Sequence, residues 1–321
     1  MILKIVLNSI ARSILVMWFW ISSSHGDEEP KSNVTYPTYG TLTHIVFVSS
    51  KVGRCSGTLI SVNFVLTVAH CLVQKTSFWE PTRLAGDKEV TVTAGITALT
   101  SEEVTYKQVR YSSQIIIHPR YTYGRLAEHD AALIKVDKAF EFSDTVFKAD
   151  LWMEPWPTHA MDCQSSGFGS MVDPKHARLR MWDVVALHGE QSCPCTKRFQ
   201  WKRLVCSEPK ENVPQLCQGD AGSALLCSNK AVAIAHMTRE RRTCRFLGYP
   251  ECKILRPSLN IYTYVCPLGD WIKQYVPNMP DTPDSCKGYI CLTNSFLLAT
   301  SIILNFYLTV DNSFNFTLNA I

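Results

Sequence analysis

The sequence predicts an all-β, barrel-type fold closed by a single helix at its C-terminal end, and three observations carry that reading. Between about Tyr39 and Val265 the chain is broken into short apolar runs punctuated by turn residues. Within them Val90, Val92 and Ala94 alternate with Glu89, Thr91 and Thr93, the period of a half-buried strand. Ile45, Phe47 and the run 63–68 are similarly β-rich, and no stretch there holds a helical period. Near the end, Leu268, Trp271, Ile272 and Tyr275 fall at i, i+3, i+4 and i+7, which predicts a terminal amphipathic helix with all four on one packed face.

Composition bounds the class. In 321 residues, 46% are hydrophobic and 19% charged, the balance of a globular chain. A formal charge of +4 gives no ground for nucleic-acid binding. Two basic clusters, Lys197/Arg198/Lys202/Arg203 and Arg239/Arg241/Arg242/Arg245, read as solvated loops, with an acidic glycan or acidic protein surface as the alternative. Thirteen cysteines point to an oxidising compartment, and their odd number leaves one free, removed by processing or bonded to another chain. The close pair Cys193 and Cys195 has no matching second half, so no metal and no cofactor are expected.

The two ends differ from the middle. Lys4 and Arg12 precede the apolar run 14–21 and small polar residues up to Gly26, which predicts a secretory signal peptide over 1–26. A lead segment over 27–38 follows and carries a glycosylation sequon at Asn33. A main domain over 39–276 gives way to a C-terminal linker and apolar tail over 277–321. Residues 288–310 contain no charge and are long enough to cross a hydrocarbon core, yet Asn294, Thr300 and Asn305 dilute them and no Lys or Arg follows. A loosely ordered tail is the expectation, with a membrane tether through 288–310 as the alternative.

Three local motifs carry chemistry. They are Thr67-Val68-Ala69-His70-Cys71, His129-Asp130-Ala131-Ala132-Leu133-Ile134, and Cys217-Gln218-Gly219-Asp220-Ala221-Gly222-Ser223. In order and spacing they resemble the histidine, aspartate and serine segments of the trypsin/chymotrypsin-like serine proteases. Cys55-Ser56-Gly57, Ile115 to Pro119, Gly167-Phe168-Gly169 and Tyr262-Thr263 extend the resemblance over roughly residues 39–276. It implies two six-stranded antiparallel β-barrels with a cleft between them. It also implies His70 as general base and Asp130 as the carboxylate that fixes its tautomer.

The nucleophile is what the resemblance fails to supply, because Ala221 stands where the family has serine. A methyl group has neither a lone pair nor a proton to transfer. Loss of the nucleophile in a triad enzyme costs about 10⁶ in turnover, roughly 8 kcal/mol on the barrier. An oxyanion hole from the Gly219 and Ala221 amides is implied to survive. Ser223, two residues on, replaces a family glycine and is not expected to substitute, since base and nucleophile must lie within hydrogen-bond reach.

Other departures follow from the same resemblance. The family's aspartate before the serine, here Asp220, pairs with an amine released by cleavage before an Ile-Val-Gly-Gly-like start. No such start lies between Gly26 and His44, so Asp220 needs another partner or the pocket is zymogen-like. The specificity pocket corresponds to Gln215 at its base and His236, Met237 and Thr238 along its wall, with His236 and Met237 read as wall and core packing. Disulfides implied by the family are Cys55–Cys71, Cys163–Cys227, Cys195 (or Cys193)–Cys206 and Cys217–Cys252 (or Cys244). Together these features predict a secreted, disulfide-bonded homologue of the family that binds an extracellular protein or peptide without cutting it. An active endopeptidase with an unusual nucleophile and a membrane-tethered interaction module are the alternatives.

Overall fold

A computed structural model describes residues 34–74, 83–84, 88–100, 105–123, 128–169, 177–189, 192–197, 200–207, 214–240, 243–245 and 258–287. The expected signal peptide, Asn33, Cys252 and the apolar stretch 288–310 lie outside them. Among the described residues no helix is long and apolar enough to cross a membrane.

The first half contributes β1 (Ile45–Ser49), β2 (Arg54–Ser61), β3 (Phe64–Thr67), the short pair β4 (Val73–Gln74) and β5 (Arg83–Leu84), β6 (Thr91–Ala94), β7 (Gln108–Ile117) and β8 (Ala132–Val136). Strands β1, β2, β3, β8, β7 and β6 close in that order into a six-stranded antiparallel barrel. The period-2 reading of β6 is visible in the packing, with Val90, Val92 and Ala94 buried. Glycine at position 57 is a packing requirement, since a Cβ there would lie 2.6 Å from the Val65 side chain on the neighbouring strand β3.

The second half adds β9 (Asp150–Leu151), β10 (Met161–Gly167), β11 (Arg180–His188), β12 (Leu204–Ser207), β13 (Ala224–Cys227), β14 (Lys230–Glu240) and β15 (Ser258–Tyr264). The order β13-β10-β11-β12-β15-β14, with β13 also paired to β14, closes a second six-stranded barrel, and β9 adds to its edge. Trp182, Val184, Leu225 and Tyr262 fill its interior.

The terminal helix α1 (Gly269–Lys273) is shorter than its sequence pattern suggests. Leu268, Trp271 and Ile272 are buried, whereas Tyr275 is exposed, because the helix ends before the fourth position comes round. The segment read as a linker is also held down. Cys286 is bonded to Cys266, and the Thr282 side chain is buried.

The disulfides correct one expectation. Cys55–Cys71 and Cys163–Cys227 form. Cys206, however, bonds Cys193 rather than Cys195, and Cys195 bonds Cys244. Cys195 has φ +74°, and the tight turn after Cys193 sends one thiol to β12 and the other to the turn that follows β14. Cys217 is disulfide-bonded to a cysteine outside the described residues, which removes Cys244 as its partner.

Candidate functional site

His70 lies in a single 3-10 turn (Ala69–Cys71) directly after β3, and the Cys55–Cys71 disulfide ties that turn to β2. Asp130 lies two residues before β8 (Ala132–Val136), the strand that pairs with β3, so barrel register brings the two together. The His70 amide donates to Asp130 Oδ1 at 3.0 Å, and His70 Nδ1 lies 2.6 Å from Oδ2. The aspartate is inaccessible, while the imidazole keeps 19% of its side chain exposed. A buried carboxylate holding a solvent-facing imidazole is the arrangement a general base requires.

A third side chain joins them. His236 sits on β14 where its pairing with β15 slips between Ala235 and Met237, and this irregularity turns the imidazole inward. Its Nδ1 lies 2.6 Å from the same Asp130 Oδ2, although no N–H of His236 is aligned to donate a hydrogen bond to a described residue. The two imidazoles meet edge-on, with ring centres 5.9 Å apart. Burial alone would raise the Asp130 pKa, but the neighbouring His70 and His236 hold it well below the ordinary carboxylate range. His236, read from the sequence as wall packing, is buried and also reaches Asp130. Met237, one residue on, does pack in the core against Cys193, Leu204 and Cys206.

The turn 217–223 is fastened to the first barrel through Ser56. Its Oγ donates to the Gly219 carbonyl at 2.8 Å, its amide donates to the Ala221 carbonyl at 2.9 Å, and the Phe168 amide donates to its Oγ at 3.0 Å. Gly219 has φ +101°, a conformation that glycine adopts without penalty. Ser223 Oγ is buried and turned onto backbone carbonyls, with Asp220 O at 2.7 Å and Ser166 O within bonding distance. A hydroxyl engaged in this way is not presented to an imidazole base.

Asp220 has a partner that sequence reasoning missed. Arg180, the first residue of β11, pairs with Asp220 Oδ2 in an environment where the two side chains are 5% and 0% exposed. The Cys217 amide donates to the same oxygen at 2.8 Å. Arg180 also donates to the Gln215 carbonyl at 3.1 Å, and its guanidinium stacks over Trp182 at 4.4 Å. Burial pushes the Asp220 carboxyl up against the opposing pull of the Arg180 guanidinium and the Cys217 amide. Gly169 permits this approach, since a Cβ there would stand 2.7 Å from Arg180 Nε. The next residue, Met181, exchanges both backbone hydrogen bonds with Thr35 of the lead segment.

Around the expected specificity pocket, Gln215, His236, Met237 and Thr238 are all buried. Thr238 Oγ1 donates to the Leu216 carbonyl at 3.0 Å, and Asn260 Oδ1 accepts from the Leu216 amide at 3.0 Å while Asn260 Nδ2 donates to the Pro214 carbonyl at 3.3 Å. These side chains fasten the wall to the base instead of lining an open socket.

Two antiparallel six-stranded barrels with a buried aspartate and a partly exposed histidine where they meet define the scaffold of the double-barrel serine hydrolases. Comparison with known proteins agrees. The trypsin family model matches residues 34–272, and the chain belongs to that family. Rat chymase (Rattus norvegicus) is 30% identical over 200 residues, covering 61% of this chain and 74% of the relative. Human kallikrein-4 (Homo sapiens) is 24% identical over 225 residues, covering 69% and 77%. Trypsin 5G1 of Aedes aegypti is 25% identical over 228 residues, covering 68% and 74%.

Proposed function

We propose that this protein is a non-catalytic, secreted member of the trypsin family that uses the cleft between its barrels to bind an extracellular protein or peptide. The observation that carries the reading is Ala221 at the position of the family's nucleophile, beside a retained His70–Asp130 pair. Without an attacking oxygen no acyl-enzyme forms, and an imidazole has no hydroxyl proton to accept. Ser223 is the nearest alternative in sequence, and its hydroxyl is spent on carbonyls.

The scaffold's retention favours binding over decay. Asp220 is compensated by Arg180 within the uncut chain, so the turn bearing the Gly219 and Ala221 amides does not depend on a released N-terminal amine. Neither amide donates to a described residue, which leaves both to receive a partner's carbonyl or carboxylate oxygen. The disulfides support an extracellular location. The test is a serine-directed fluorophosphonate probe applied to the purified full chain. No covalent labelling is expected, and stoichiometric labelling that competes with a serine-protease inhibitor overturns the reading.

A further inference from the structure

We propose that His70, Asp130 and His236 form a binding site for a divalent transition metal of the zinc class. Nothing in the local motifs points to a metal, because the three residues are far apart along the chain and the cysteines lack zinc-type spacing. The fold brings one donor atom from each within 4.8 Å of the others. Two imidazoles and one carboxylate suit zinc and its neighbours, and three protein ligands leave a fourth position for water or a ligand.

The geometry at His236 is what an ordinary His–Asp pair does not explain. An imidazole nitrogen 2.6 Å from a carboxylate oxygen must either donate a proton along the line between them or share a cation with it. The distance is present and the alignment is not. His236 is 2% exposed, and neither of its ring nitrogens has a hydrogen-bond partner among the described residues. A proton off the line between the two atoms bridges them poorly, and a cation held between them would supply the missing bridge.

The site also has the mechanical latitude a metal needs. Ligands of a tetrahedral shell at about 2.1 Å from zinc stand about 3.4 Å apart, so each imidazole must retreat by under about 1 Å. His70 can do so, because it lies on a one-turn helix with a partly exposed ring. Its exposed side is also the route by which an ion enters and the side on which the fourth ligand faces the cleft. Asp130 is steadied by the His70 amide on its other oxygen, the kind of outer contact that orients a metal-bound carboxylate. The other grouping of potential ligands, Cys55, His70 and Cys71, offers no thiolate because its sulfurs are joined to each other.

The experiment is a Zn²⁺ titration of the chelator-stripped, desalted full chain by calorimetry, with Co²⁺ absorption as the readout of ligand geometry. The expected result is one equivalent of Zn²⁺ per chain and visible cobalt bands of a low-coordinate site. His236→Ser and His70→Ala should each weaken binding by about 100-fold or more. His70→Ala alters a partly exposed residue, which keeps the test valid if His236→Ser fails to fold. Absence of stoichiometric binding at micromolar Zn²⁺, or binding unchanged in His70→Ala, overturns the proposal. The outcome is separable from the non-catalytic reading, because fluorophosphonate labelling of the metal-free chain reports on the nucleophile alone.

Discussion

Among the described residues two aspartates are buried near the junction of the barrels, and they are neutralised in opposite ways. Asp220 meets a guanidinium, which stays charged at every pH a protein survives. Asp130 meets two imidazoles, whose ring nitrogens can also serve as metal ligands. The first pairing is a fixed strut that holds the turn 217–223 in place. The second is a chemically responsive cluster with one ring open to the cleft. One neighbourhood is built for permanence and the other for exchange of a bound ligand.

The largest effect should come from breaking the strut. Arg180→Met leaves Asp220 buried without its cation, and the unfolding free energy should fall by about 3–5 kcal/mol, measured by urea denaturation. Arg180→Met combined with Asp220→Leu should recover much of that loss, because neither charge then remains. A cost below about 1 kcal/mol for the single variant would mean that Asp220 is buried as the neutral acid, and the contrast between the two sites would disappear.

A second effect separates the Asp130 cluster from background histidine titration. Burial lowers His44 to about 4, below its ordinary value of 6.5. The unfolded chain therefore takes up a proton that the folded chain refuses. Stability from this residue is complete above about pH 6.5 and falls as the pH drops towards 4, by about 3 kcal/mol in total. His44→Asn should remove that share of the slope across the window and leave the share contributed by His118 and His129, which burial also lowers. An unchanged profile would place the acid sensitivity elsewhere.

A smaller change is expected from His236→Ser at neutral pH, about 1–2 kcal/mol, since Asp130 keeps His70. The informative readout is its pH dependence. The folded pKa of Asp130 is depressed, so the stability it contributes is present above the unfolded value and is lost as the pH falls through the folded one. Removing one imidazole raises the folded value, and acid unfolding should then begin at higher pH than in the parent chain. Coincident acid-unfolding curves would show that His236 does not stabilise the carboxylate.

The smallest expected effect is on catalysis itself. Ala221→Ser should give no measurable cleavage of peptides ending in Arg or Lys. Arg180 already satisfies Asp220, so the obstacle lies at the buried Gln215 and at Thr238, which is hydrogen-bonded to Leu216. Hydrolysis by that variant in a chromogenic assay would show that an open socket exists.

The difference between the two aspartates also marks what could be read from the chain alone. His70 and Asp130 sit in contiguous motifs whose local pattern names them, and the barrel architecture follows from period-2 alternation and turn spacing. Arg180 and His236 sit in strands with no motif of their own. Their partners are fixed by strand register across 40 and 106 residues, and a β-bulge decides which way His236 points. The Cys193/Cys195 ambiguity has the same origin, since the positive φ of Cys195 decides which thiol faces β12 and which faces the turn after β14. Tyr275 fits the helical period on paper, yet the helix stops short of it.

The bond between Cys266 and Cys286 has a mechanical consequence. It joins the residues that follow α1 to the start of the short 3-10 turn preceding that helix, at the end of the second barrel. A pull applied beyond residue 287 would be carried through sulfur into Cys266 and from there into β15. It would not peel the five-residue helix from Trp271 onward. The fold is therefore reinforced at its C-terminal exit, and tension there reaches the barrel before it can unravel the helix.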